Sequence, residues 1–160
     1  MKQSKNLSHF NNDGEAHLVD VSNKNTTARI AIAIGSISMA KASLNIIKTG
    51  VIKKGDVLSI SRIAGIMGAK KTSELVPLCH PLPLTNVSVD LKINEKLLCI
   101  DISVKVKTLA QTGVEMEALT GVAVTALTIY DMVKSIDKGM TIGDIKLKLK
   151  DGGKSGRFEV

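Results

Sequence analysis

Three stretches carry residue types and spacings that could do chemistry. The first is S-E-L-V-P-L-C-H-P-L-P-L-T-N, Ser73 to Asn86, which holds all three prolines of the chain around an adjacent Cys79–His80 pair. No second Cys or His follows at the spacing a zinc site uses, so metal binding is not expected here. A Cys–His nucleophile pair is poorly supported as well, because neighbouring residues in an extended loop point apart. Pro77, Pro81 and Pro83 restrict their own backbone and bias the residues before them, His80 included, toward extended conformations. Two readings stay open: a braced loop that presents His80 and backbone groups to a ligand, or a stiff helix-to-strand connector.

The second stretch is V-E-M-E-A-L-T-G-V-A-V-T-A-L-T-I-Y-D-M-V-K-S-I, a long helix by pattern. On a helical wheel Glu117, Thr120, Thr128, Asp131, Lys134 and Ser135 share one sector, and the rest is almost entirely aliphatic. Asp131 and Lys134 stand at i and i+3 and can touch. On an exposed helix that is a weak surface ion pair. In a partly dry cleft it is a carboxylate–amine pair suited to proton transfer. The stripe is rich in Thr and Gly121 rather than Lys and Glu, which does not suit a fully solvated face. Glu115 and Glu117 flank Met116 where the helix begins, and carboxylates favour that end through the helix dipole. Alternatively, Q-T-G-V-E-M-E holds the hydrogen-bond donors of a ligand.

The third stretch is G-G-K-S-G, Gly152 to Gly156. It is not a P-loop: that motif needs glycine where this chain has Lys148, and no helix fits before Val160. A flexible lysine reaching a phosphate and a merely disordered tail both remain open.

Composition narrows the setting. The chain has 160 residues, which suits a single domain, and 44% of them are hydrophobic. Its core must be aliphatic, because Phe10, Tyr130 and Phe158 are the only aromatic residues. Two cysteines exclude a disulfide scaffold. With no signal-peptide pattern and no unbroken apolar run of about 18 residues, a cytoplasmic protein without a membrane span is expected. A net charge of +7 points to anionic partners, while the dearth of aromatics argues against nucleic-acid stacking platforms.

These residues need positioning elements. Residues 1–17 read as a mobile polar segment and residues 18–160 as one domain with a flexible Gly-rich tail. A-R-I-A-I-A-I-G-S-I-S alternates as a strand with small residues between Ile30, Ile32 and Ile34. Met39, Ala42, Ile46 and Thr49 then fall on one helical face, closed by Gly50. Asp56 starts a second helix whose Gly65 and Gly68 imply close approach to a neighbour. Val87–Ile93 and Leu98–Val106 alternate as an antiparallel hairpin, with Cys99 on its polar face. A last strand places Ile145, Leu147 and Leu149 inward and three lysines outward. The order β-α-α-β-β-α-β predicts an α+β, ferredoxin-like two-layer sandwich, an antiparallel sheet packed against helices.

Together, K-K-G-D-V, R-I-A-G-I-M-G-A-K, L-V-P-L-C-H-P-L, T-G-V-E-M-E-A-L-T, L-T-I-Y-D-M-V-K and G-G-K-S-G resemble, in this order, the cyclic pyranopterin monophosphate synthase family of molybdenum cofactor biosynthesis. The resemblance covers about residues 14 to 158. P-L-C-H-P and G-V-E-M-E-A-L-T are its specific signatures. It implies a ferredoxin-like fold, a hexamer built as a trimer of dimers, and an active site at a dimer interface. The implied lyase reaction turns a cyclised dihydroguanosine triphosphate into a tricyclic pterin with a cyclic phosphate and releases diphosphate.

By the same resemblance Asp131 is the catalytic acidic residue, with Lys134 and Lys54 as its cationic partners in acid-base work. Leu78, Cys79 and His80, with Glu115, Met116 and Glu117, line the substrate site. Arg29, Lys24 and Lys154 meet the triphosphate. No organic cofactor and no protein metal site are expected, though magnesium could assist the phosphates. Lysines of lowered pKa would suit the ring rearrangement, and fixed positive charge would suit diphosphate departure. The competing class is a non-enzymatic basic module for RNA or phosphorylated ligands, with lysines spread over one open face.

Overall fold

A computed structural model of the chain describes residues 8–11, 13–50 and 56–160. Lys54 and its K-K-G neighbours lie outside the described residues, as do residues 1–7 and Asn12 of the N-terminal segment.

The elements run β1 (Thr27–Ser38), α1 (Lys41–Thr49), α2 (Val57–Lys70), the short α3 (Thr72–Leu75), β2 (Leu84–Asn94), β3 (Cys99–Ala110), α4 (Glu115–Val133), β4 (Thr141–Asp151) and β5 (Phe158–Glu159). The sheet order is β2-β3-β1-β4-β5, antiparallel throughout. The first four strands have the order of a ferredoxin-like sandwich, and the helices cover one face.

That face is set by side-chain size. Ala31, Ala33, Gly35 and Ile37 of β1 are buried beneath the helices, whereas Ile30, Ile32 and Ile34 lie half-buried on the opposite face. The small residues let α4 come close: a Cβ on Gly35 would stand 2.7 Å from Val122 Cγ1. Beside β1 in register, Ile100, Ile102, Val104 and Val106 of β3 complete a dry aliphatic floor. Burying each such side chain stabilises the fold by about 1.5–3 kcal/mol relative to leaving it in water. Phe10 and Phe158 both lie outside this core, exposed.

The two long helices also meet through glycine. A Cβ on Gly65 would collide with Thr125 Oγ1, and one on Gly68 would stand 2.7 Å from the Val124 side chain. Thr125 in turn donates to the Gly121 carbonyl at 2.7 Å, so its hydroxyl is satisfied inside the contact. By length and composition α4 could cross a membrane; here it is the core helix, with Ala118, Val122, Ala126, Ile129 and Val133 buried against the sheet and α2. Asp56 caps α2 by accepting from the backbone N–H groups of Leu58 and Ser59. Gly50, at φ 71°, closes α1.

Three local expectations are corrected. The buried face of α1 is Ser43, Leu44 and Ile47, while Ala42 and Thr49 are exposed. Residue Cys99 faces away from the helices, but it is buried all the same, at 3% exposure. Strand β4 does not alternate cleanly: its register against β1 shifts between Ile32 and Ala33 and again between Ile34 and Ser36. These bulges put Leu149 opposite Ile32 and Lys150 opposite Ala31. Lys150 therefore turns to the helix side instead of outward.

Candidate functional site

The residues expected to bind substrate converge on two adjoining cavities at the N-terminal end of α4. The larger, about 690 Å³, is lined by Lys24, Arg29, Gln111, Glu115 and Lys154 among others. The smaller, about 250 Å³, is lined by Leu78, Cys79, His80, Met116 and Glu117. Lys24, Thr112, Gly113 and Glu115 border both and make them one compound site.

Local structure explains how each group arrives. Arg29 ends the helix-facing row of β1, where its Nε donates to the Ala110 carbonyl at 3.0 Å and its Nη2 to the Gln111 carbonyl at 2.8 Å. Those bonds fix the guanidinium under the Q-T-G turn and leave further N–H groups for an anion. Gly152 and Gly153 have φ values of 99° and 79°. A Cβ on Gly153 would strike the Arg29 guanidinium, so only glycine lets the tail pass over that side chain and bring Lys154 to the cavity.

The proline loop leaves α3 at Val76, turns where the Cys79 N–H donates to the Val76 carbonyl, and is tied down where Thr108 Oγ1 donates to the Pro83 carbonyl at 2.7 Å. Leu82 packs against the core, and Cys79 and His80 remain half-buried at the smaller cavity. The loop is both a connector and a cavity wall.

Glu117, in the first turn of α4, is only 4% exposed. Burial pushes its pKa up from 4.5 to about 6; a hydrogen bond from its own backbone N–H pulls the other way, and neighbouring Glu115 raises it further. The Cys79 thiol is also raised, by burial and by the Glu117 charge, which does not suit a thiolate nucleophile. Across the same wall Glu115 faces Lys150 at 3.8 Å, and Lys150 donates to Ser155 Oγ at 2.6 Å.

Asp131 and Lys134 are not in these cavities. They pair at 2.7 Å at the C-terminal end of α4, with 65% and 52% of their side chains exposed. Hydrogen bonding to Asp131 raises the Lys134 pKa, contrary to the lowered value expected of a base. As placed here the amine is a proton donor, and the pair has the exposure of a surface ion pair.

The family model for MoaC matches residues 18–153. The chain belongs to the MoaC family. Curated relatives bear the name cyclic pyranopterin monophosphate synthase. The Dinoroseobacter shibae protein is 60% identical over 153 residues, covering 96% of this chain and 97% of the relative. The Clostridium botulinum protein is 56% identical, covering 95% and 96%, and the Thermomicrobium roseum protein 53%, covering 95% and 92%.

Within this MoaC-family chain the compound site carries charged groups in both of its parts, set among apolar side chains such as Leu78, Leu82 and Met116. Lys24, Arg29 and Lys154 gather positive charge in the larger part, and Glu117 sits in the smaller. An elongated ligand with an anionic end and a donor-bearing ring fits that division. Lys150 was missed in the sequence because strict alternation points it outward; only the bulge turns it toward Glu115. His9, which also lines the smaller cavity, falls in a polar segment with no periodic pattern to place it.

Proposed function

We propose that the chain is a cyclic pyranopterin monophosphate synthase of molybdenum cofactor biosynthesis. It converts a cyclised dihydroguanosine triphosphate to the tricyclic cyclic phosphate and releases diphosphate. The observation that carries the reading is the compound site itself, with cations at one end and Glu117 beside the Cys79–His80 wall at the other.

In this reading the triphosphate lies on Lys24, Arg29 and Lys154. When a sugar hydroxyl attacks the first phosphorus, the bond to diphosphate breaks, and the fixed cations stabilise the leaving charge. The ring system lies against Leu78, Cys79, His80 and Met116. Glu115 and Glu117 accept hydrogen bonds from its N–H groups, as carboxylates do from guanine-like edges. Asp131, Lys134 and Lys54 supply the proton transfers of the rearrangement. No organic cofactor enters; a magnesium ion would arrive, if at all, as part of the phosphate-bearing substrate.

Glu117 and Asp131 stand about 21 Å apart along α4 at about 1.5 Å per residue, so one copy cannot present both to one small molecule. A second copy must bring Asp131 and Lys134 to the cavities of the first. We therefore place the active site at a dimer interface; the family resemblance adds that the dimers assemble as a cytoplasmic homohexamer, a trimer of dimers. A nucleic-acid module is disfavoured by the open sheet face, where Asp90, Asp101 and Asp144 interrupt Lys92, Lys146 and Lys148.

The direct test is diphosphate release on adding the cyclised nucleotide to the purified protein. Release stoichiometric with pterin formation is expected. No release from the folded, assembled protein would defeat the assignment.

A further inference from the structure

We infer that His9, carried on an N-terminal hairpin, is a substrate-contacting residue whose Nδ1 hydrogen-bonds the ring system in the smaller cavity. The inference rests on the proposed function of that cavity and adds to it a residue upstream of the segment the family model matches.

The backbone around His9 is hydrogen-bonded into a short hairpin. Phe10 and Ala16 form an antiparallel bridge. The His17 N–H donates to the His9 carbonyl at 3.0 Å, and the Asn11 N–H donates to the Glu15 carbonyl at 2.9 Å. The Asn11 side chain closes the turn, accepting from the backbone N–H groups of Asp13 and Glu15 and donating to the Glu15 carboxylate. The hairpin thus holds His9 beside the chain that runs on through Val19, Val21 and Lys24, and Ser8 and His9 line the smaller cavity with them. His80, Cys79 and Glu117 line the same cavity.

The second observation is independent of the cavity. The His9 Nδ1 atom is buried and has no hydrogen-bond partner among the described residues. A buried imidazole nitrogen left unpaired is costly, and most such atoms find a partner. One that lines a ligand cavity is satisfied when the ligand supplies the matching group. A bicyclic ring with N–H donors and ring-nitrogen or carbonyl acceptors offers both, and neutral imidazole can serve as either partner at Nδ1. His80, His9 and Glu117 would then together hold the ring.

The test compares His9→Ala, His9→Asn and His9→Gln with the wild-type chain, measuring kcat, KM and thermal unfolding in each. An Asn amide reaches the position of Nδ1, whereas a Gln amide reaches that of Nε2. The expected result for His9→Ala is a KM raised on the order of 10-fold at unchanged unfolding temperature. His9→Asn should recover most of that loss and His9→Gln should not. Wild-type kinetics in His9→Ala would overturn the inference, as would an Asn variant no better than Ala. A loss that follows a lowered unfolding temperature in all three variants would also overturn it, in favour of simple packing. Absence of diphosphate release from the wild-type chain is a separate failure, because it defeats the assignment of the cavity before His9 is considered.

Discussion

Glu117 and Asp131 lie on the same face of the same helix and at opposite ends of it. The first is buried in the smaller cavity, which a proline-braced loop helps to line. The second is exposed and paired with Lys134 at 2.7 Å. The aliphatic body of α4 between them is the core of the domain. The helix thereby fixes two carboxylates relative to the fold; in the proposed function one serves binding and the other proton transfer. Under the proposed function, their separation makes the complete site a property of the assembly.

Glu117 is predicted to cost the folded protein stability near neutral pH. Its folded pKa is about 6 against an ordinary 4.5, so the native state holds the proton more tightly than the unfolded chain. The penalty is absent below the unfolded value, grows as pH rises, and is complete above the folded value. The gap corresponds to about 2 kcal/mol at most. Glu117→Gln should raise the unfolding temperature at about pH 7.5 and leave it nearly unchanged at about pH 4, while weakening substrate binding. Circular-dichroism melts at the two pH values check this; an equal shift at both would contradict it.

His80→Ala should reduce turnover by on the order of 10-fold or more while the melting curve stays in place. The side chain is half-buried on a cavity wall, and the loop is anchored by Thr108 and Leu82 instead. Unchanged turnover, or a variant that fails to fold, would remove His80 from the site.

Lys134→Ala and Lys54→Ala should each abolish measurable turnover with assembly intact by size-exclusion chromatography. For Lys134 the reason is geometric: it holds the hydrogen bond to Asp131 that keeps its own amine protonated. Loss of a proton-transfer group is worth about 10²–10⁴-fold. Normal turnover in either variant would end its assigned role.

Much of the fold was legible because it rests on local rules. Period-two runs marked β1, β2 and β3, Asp56 and Gly50 marked helix ends, and Gly65 and Gly68 marked the α2–α4 contact before any neighbour was known. What escaped depends on tertiary context. The buried face of α1 is one position away from the spacing that Met39, Ala42 and Ile46 suggest, because Leu44 and Ile47 are the residues that reach the core. The β4 bulges have no strong composition signal, so Lys150 could not be seen turning inward. The site was legible as motifs, since P-L-C-H-P, V-E-M-E and G-G-K each carry cavity-lining residues. A wheel projection could not divide it: a polar stripe places Glu117 and Asp131 on one face but discards the distance between them.

That distance yields the most direct measurement. Glu117→Gln and Asp131→Asn, each expected to be far less active than the wild-type chain at limiting substrate when pure, are unfolded together in equal amounts, refolded and assayed for diphosphate release at limiting substrate. If each site joins one copy's Glu117 to another's Asp131, random pairing restores about 25% of wild-type activity, since half the dimers are mixed and each carries one intact site. Activity no higher than that of the two variants assayed separately, with mixed assemblies present, would show that both residues must come from the same copy.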